Sequence, residues 1–192
     1  MKSLPFRHDD RSHPSFRVPV ALRVDARFAA SAERVFGAWL DPDVAARWLF
    51  ATAARPLAHA EIDARLGGSF RFVEQRESGA IEHRGEYVEI VPCRRIAFML
   101  TLADRRRIAT RVIVDVEPRA TGSELALTHE NVPLDLAYGM EARWTGMLYG
   151  LGMMLDARGG EAITARSPLV RRGPLRARPR VTTLRRTVRR PW

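Results

Sequence analysis

TGSELALTHENVP at residues 121–133 alternates residue types with a period of two and runs directly into LDLAYGMEARWTGMLYGLGMMLDA at 134–157, where the spacing becomes helical. Leu125, Leu127 and His129 fall on one side of the strand. Asn131-Val132-Pro133 stops it, because proline cannot donate to a ladder. From Leu134 to about Ala157, Leu136, Met140, Trp144, Met147, Leu148, Leu151, Met154 and Leu155 recur at three- and four-residue steps and make one broad apolar stripe. A helix of this length spans ~36 Å at ~1.5 Å per residue, enough to cross a sheet whose strands are ~30 Å long. Strands closed by one such helix predict a sheet curled around a rod, which is a container rather than a catalytic crevice.

The strands are legible upstream of it. Val20, Leu22, Val24, Ala26 and Phe28 alternate with Arg23, Asp25 and Arg27, the pattern of a half-buried strand. Ser31 is placed to cap a helix reaching about Leu40, with Glu33 in its first turn, and Asp41-Pro42 restarts a second short helix to Trp48. Val35, Phe36, Trp39, Val44 and Trp48 form the apolar side of this pair. Strands are then expected at 58–66, 69–76, 81–91, 95–102, 107–117 and 123–131, with Gly67-Gly68 making a tight hairpin. Links this short cannot hold crossover helices, so neighbouring strands must pair antiparallel. The expected fold is α+β: a seven-stranded antiparallel sheet with two short helices after its first strand and the long helix last.

Gly139, Gly146 and Gly150 share one face of the long helix, with Gly152 nearby. Each interior glycine costs about 0.8–1 kcal/mol relative to alanine. Two readings remain open: room for a ligand between helix and sheet, or close packing against a strand or a subunit.

The net charge of +10 suggests nucleic acid until it is divided along the chain. Residues 1–157 hold 21 basic and 21 acidic side chains, whereas 158–192 hold 11 arginines against Glu161 alone. The surplus therefore belongs to the tail, and no basic groove in the folded part is indicated. Residues 1–18 are expected to form a flexible arm, 19–157 the domain, and 158–192 an Arg/Pro-rich tail too poor in apolar residues to order itself. Contacts of that tail with nucleic acid would be non-specific. Cys93 is the single cysteine, so no intrachain disulfide or cysteine metal site is expected. No apolar run has the length of a secretory signal or a membrane span, and a cytoplasmic location without membrane insertion follows as the expectation.

GGSFR at 67–71, GEYVEIVPCRRI at 85–96 and TGSELALTHENVP at 121–133 followed by Trp144 resemble the bacterial homologues of the activator of the Hsp-ninety chaperone ATPase. AASAERVFGAWLDPDVAARWL at 29–49 looks like the first helical region of that family. These proteins belong to the START-like, or SRPBCC, superfamily. The resemblance covers about residues 20–157 and implies the helix-grip fold, with an internal cavity of the kind that often holds lipids, sterols or polyketides. It carries no catalytic motif, and the basic tail has no counterpart in it.

A non-catalytic module that binds a small hydrophobic or amphipathic molecule is therefore the leading expectation, as a monomer or homodimer. The wall is expected from Phe70, Phe72, Val88, Phe98, Val112, Leu127, Met140, Trp144, Met147 and Leu148, with His129 and Arg143 as polar contacts and Glu86 and Tyr138 as further anchors. Glu86 shares a face with Val88 and Ile90 by alternation, and Arg143 is the cation that would pair with it. The alternatives are a cyclase- or hydrolase-like enzyme using His129 or Glu86 as acid or base, and a chaperone-activator-like interaction module. His8, His13, His59, His83 and His129 show no metal-ligand spacing, and no nucleophile elbow or phosphate loop is present, so neither metal nor cofactor is expected.

Overall fold

The computed structural model describes residues 19–51, 57–76, 79–101 and 108–156. The expectations for the N-terminal arm and the basic tail lie outside these residues. β1 (Pro19–Phe28) follows its alternation, burying Leu22, Val24, Ala26 and Phe28 and exposing Arg23 and Arg27. Ser31 Oγ accepts from the Arg34 amide at 3.5 Å and opens α1 (Ala32–Leu40). The Asp41 carboxylate then accepts from the Asp43 and Val44 amides at 2.9 and 3.2 Å, starting the single turn of α2 (Pro42–Ala45). Two caps this close force the chain to turn between the helices, which is why one apolar stripe becomes two short rods.

β2 (Leu57–Ile62), β3 (Ser69–Arg76), β4 (Gly79–Val91), β5 (Arg95–Thr101), β6 (Ala109–Arg119) and β7 (Gly122–Pro133) follow as an antiparallel meander. β1 joins it by pairing with β7, giving the spatial order β1-β7-β6-β5-β4-β3-β2. The resulting seven-stranded antiparallel sheet is the one expected. The β2–β3 connection is longer than a two-residue hairpin: the Asp63 amide donates to Ser69 O at 2.8 Å and closes a loop over residues 63–68. Only one glycine of the expected pair takes the left-handed turn position, Gly67 with φ +73°.

α3 (Leu134–Asp156) crosses the concave face, its backbone closest to β1 and next to β7 and α1. α1 lies over β6 and β7, and α2 sits near β2. The core is one layer between sheet and helices, with Leu22, His129, Val112, Phe98 and Tyr87 following one another as cross-strand partners. Gly85 belongs to this layer for a steric reason. A side chain there would place its Cβ 2.2 Å from Phe70 Cζ, so the bare backbone is what lets that ring lie flat across β4. The convex face carries ion pairs instead, among them Arg95 with Asp115 at 2.6 Å and Arg111 with Glu130 at 3.6 Å.

Candidate functional site

The layer between the sheet and α3 gathers most of the expected wall. Phe70 and Phe72 on β3, Phe98 on β5, Val112 on β6, Leu127 and His129 on β7, and Trp144, Met147 and Leu148 on α3 are all buried there. Met140 is partly buried at its margin. α1 adds Trp39, and the turn after α2 adds Trp48 and Phe50. Rings meeting around Trp144 are tilted and widely spaced: Trp39 to Trp144 at 6.3 Å, Phe50 to Trp144 at 6.1 Å, and Trp39 to Phe98 at 6.4 Å. Favourable aromatic pairs occupy about 4.5–7 Å, so these lie toward the open end of the range. Other ring contacts of the layer are tighter, with Trp39 edge-on to Trp48 at 4.7 Å, Phe70 edge-on to Phe98 at 5.2 Å and Phe50 stacked on His83 at 4.2 Å.

His129 is fully buried and fully bonded. The Trp144 indole donates to His129 Nδ1 at 3.0 Å, and His129 Nε2 is 2.7 Å from Thr110 Oγ1. An indole nitrogen can only donate, so Nδ1 accepts and the proton of the neutral ring sits on Nε2. Nε2 therefore donates to Thr110, whose hydroxyl donates to Leu100 O at 3.1 Å. Burial pulls the imidazole down from its ordinary 6.5 to about 4, which keeps it neutral. This chain ties α3 to β7, β6 and β5 and leaves His129 no nitrogen for a ligand.

A second polar group lies under Phe50. His83 on β4 is buried, and its Nε2 stands 3.6 Å from the Glu74 carboxylate, beyond hydrogen-bond reach. Burial, reinforced by the charge of Arg143, lowers this imidazole as well to about 4. Glu74 is buried and bound by Arg76 at 2.8 Å, and that hydrogen bond holds the carboxyl below its usual range. Phe50 reaches its place over His83 with φ 59°, a backbone conformation that bulky side chains rarely adopt, and its amide donates to Met147 Sδ at 3.2 Å. Among the described residues, Trp39 Nε1 and His83 Nε2 are the buried side-chain atoms without a hydrogen-bond partner.

Four expected contacts are not in this layer. The β4–β5 register shifts between Tyr87 and Glu89, so Val88 is the extra residue of a bulge and lies exposed. The bulge resets the alternation, and before it His83, Gly85 and Tyr87 face inward instead of Glu86, which is exposed. Glu86 therefore does not meet Arg143, and of the two groups the enzyme alternative offers as acid or base, His129 faces the interior and Glu86 the opposite face. Tyr138 is 87% exposed on the far side of α3. Arg143 is exposed too, although its charge is felt at His83. Gly139, Gly146 and Gly150 also face away from the sheet, with nothing within 4 Å of where a Cβ would stand, so they neither make room for a ligand between helix and sheet nor pack against a strand. Sequence reasoning passed over Phe50, Glu74, His83 and Tyr87 as site residues. The aromatic Tyr87 was the available sign that the odd positions of β4 point inward.

A curled antiparallel sheet gripping one long final helix, with a helical pair after its first strand, defines a START-like, or SRPBCC, protein. The family model described as "Activator of Hsp90 ATPase homolog 1-like protein" matches residues 29–156, and the chain belongs to that family. A protein from Chromobacterium violaceum is 25% identical with a TM-score of 0.65, over 72% of this chain and 99% of the other. The AHSA1-like protein from Aeromonas hydrophila shares 22% identity and a TM-score of 0.63 over 73% and 95% of the two chains. A Mycobacterium smegmatis protein at 15% identity has the same fold, with a TM-score of 0.63 over 72% and 92%. Comparison with curated proteins gave no match. Among the described residues no helix is long and apolar enough to cross a membrane, and no group of three or more metal-ligating side chains occurs.

Proposed function

We propose that this protein binds a small hydrophobic or amphipathic molecule in the layer between the sheet and α3, without catalysing its conversion. The observation that carries the reading is the apolar aromatic layer between sheet and helix, where Trp39 and Phe50 approach Trp144 at 6.3 and 6.1 Å and Phe98 approaches Trp39 at 6.4 Å, toward the open end of the aromatic range. An apolar guest entering there removes apolar surface from water at about 25 cal/mol per Å². Phe70, Phe72, Val112, Leu127 and Met147 complete the wall, and neutral His83 gives it one polar margin. The family fold, which commonly holds hydrophobic ligands, supports the same reading.

Native mass spectrometry of the purified protein, followed by solvent extraction, tests it. A co-purifying small molecule of low polarity is expected. Val112→Phe adds an independent measurement, because overpacking a solid interior costs about 1–3 kcal/mol whereas filling vacant space costs little and excludes the guest. Full destabilisation by that substitution, with no extracted molecule, would sink the proposal.

A protein-interaction role is the second reading, favoured by the outward side of α3, where Tyr138, Tyr149 and Met153 are exposed at 87%, 53% and 53%. Analytical ultracentrifugation checks it: self-association that Tyr149→Glu abolishes is expected, and an unchanged monomer for both proteins removes it.

A further inference from the structure

Three tryptophans cluster between the helices and the sheet, and two of them have hydrogen-bond acceptors. Trp48 Nε1 donates to Ala38 O at 3.0 Å, and Trp144 Nε1 donates to His129 Nδ1 at 3.0 Å. Trp39 Nε1 has none, although the residue is 2% exposed and no water can reach it from outside. Its ring is held by Trp48, Phe98 and Trp144, none of which offers an open acceptor. Buried polar groups are nearly always satisfied, and phenylalanine would fill this place without leaving a donor stranded. A stranded donor in an apolar wall is what a site built for an oxygen-bearing guest looks like before the guest arrives.

We propose that Trp39 Nε1–H is the recognition group of this site and donates to the carbonyl oxygen of a neutral ketone, aldehyde or ester carried in the apolar layer. The inference rests on the binding reading above and narrows its ligand class. A carboxylate would bring an unpaired charge among three aromatic rings, which is strongly unfavourable. An alcohol would satisfy Trp39 but bring a second donor among the rings of Trp48, Phe98 and Trp144, none of which offers an open acceptor. A carbonyl oxygen accepts and asks for nothing in return.

The test compares methyl hexyl ketone with its alkene isostere, in which C=CH2 replaces C=O, by competition against a fluorescent hydrophobic dye on the full chain. The ketone is expected to bind about tenfold more tightly than the alkene, the equivalent of ~1.4 kcal/mol. Trp39→Phe is expected to erase that preference, so that ketone and alkene bind the variant with equal affinity. In the unsubstituted protein, the Trp39 indole N–H resonance in a nitrogen-labelled NMR spectrum should move downfield with ketone and not with alkene. That measurement reads the hydrogen bond without a variant. Equal affinity for the two probes, with a still Trp39 resonance, overturns the assignment and leaves the binding reading standing. Failure of both probes to bind overturns the two together.

Discussion

His129 on β7 and His83 on β4 face the same interior of one sheet, and they differ in how their ring nitrogens are partnered. Both are buried and both are held near pKa 4 by that burial. His129 has a donor on one nitrogen and an acceptor on the other, so it is a bolt between α3 and three strands. His83 lies flat under Phe50 with one nitrogen left 3.6 Å from a carboxylate that Arg76 already binds. The same contrast separates Trp144, which is bonded, from Trp39, which is not. Burial alone therefore does not say whether a polar side chain in this layer ties elements of the fold together; the count of its partners does.

Acid should expose the largest effect. In the unfolded chain each imidazole takes a proton near 6.5, whereas in the folded protein both resist until about pH 4. The folded state thus binds fewer protons between those values, and stability present above pH 6.5 is lost as the pH falls toward 4. Each histidine contributes on the order of 3 kcal/mol across the window. Glu74, held low, adds a loss in the same direction as it is protonated. Urea unfolding at successive pH values measures the slope, and a flat profile would contradict the burial of both rings.

Substitution separates the pair. His129→Leu strands the Trp144 indole, and it is expected to cost about 2–3 kcal/mol at neutral pH. His83→Leu removes a nitrogen that had no hydrogen bond and should cost less than about 1 kcal/mol. Each variant should also lose one histidine's share of the acid sensitivity. Equal losses in urea titrations would erase the distinction drawn here.

The tryptophans repeat the comparison on a smaller scale. Trp144→Phe leaves His129 Nδ1 without its donor, for a loss of about 1–2 kcal/mol, while Trp39→Phe should cost less because a stranded donor goes with the ring. Thermal melts of the ligand-free proteins rank them. Gly146→Ala, on the outward side of α3 where nothing stands within 4 Å, marks the zero of the scale. It should stabilise by up to about 0.8–1 kcal/mol, and a loss would mean that this side is covered in solution.

The order of elements was readable because two periods carry it. Alternation gave β1 and β7, and the three-and-four spacing gave α3 to within a residue of its observed end. Strand phase was harder. Nothing in GEYVEIV announces the bulge at Val88, and one extra residue turns every side chain on one side of it to the opposite face. The glycines of α3 failed for a different reason. They do share a face, but at about 100° per residue Gly146 stands ~200° around from Trp144, which points it outward. The bare Trp39 donor could not be foreseen from sequence, because an unmet hydrogen bond is a property of what the neighbours lack. Phe50 hides for a related reason, since its left-handed backbone is imposed by the turn after α2 and by no local propensity.

The pairing of β1 with β7 joins Leu22 to His129 across 107 positions of chain, while every other strand finds its neighbour in the next segment synthesised. Loop closure over such a span is slow compared with hairpin formation. On the ribosome, β1 must wait as an unpaired strand until nearly the whole domain has emerged, and the hydrophobic interior stays unsealed until then. The proposed guest would thus have its widest opportunity for entry at birth, before the last strand and helix shut the door.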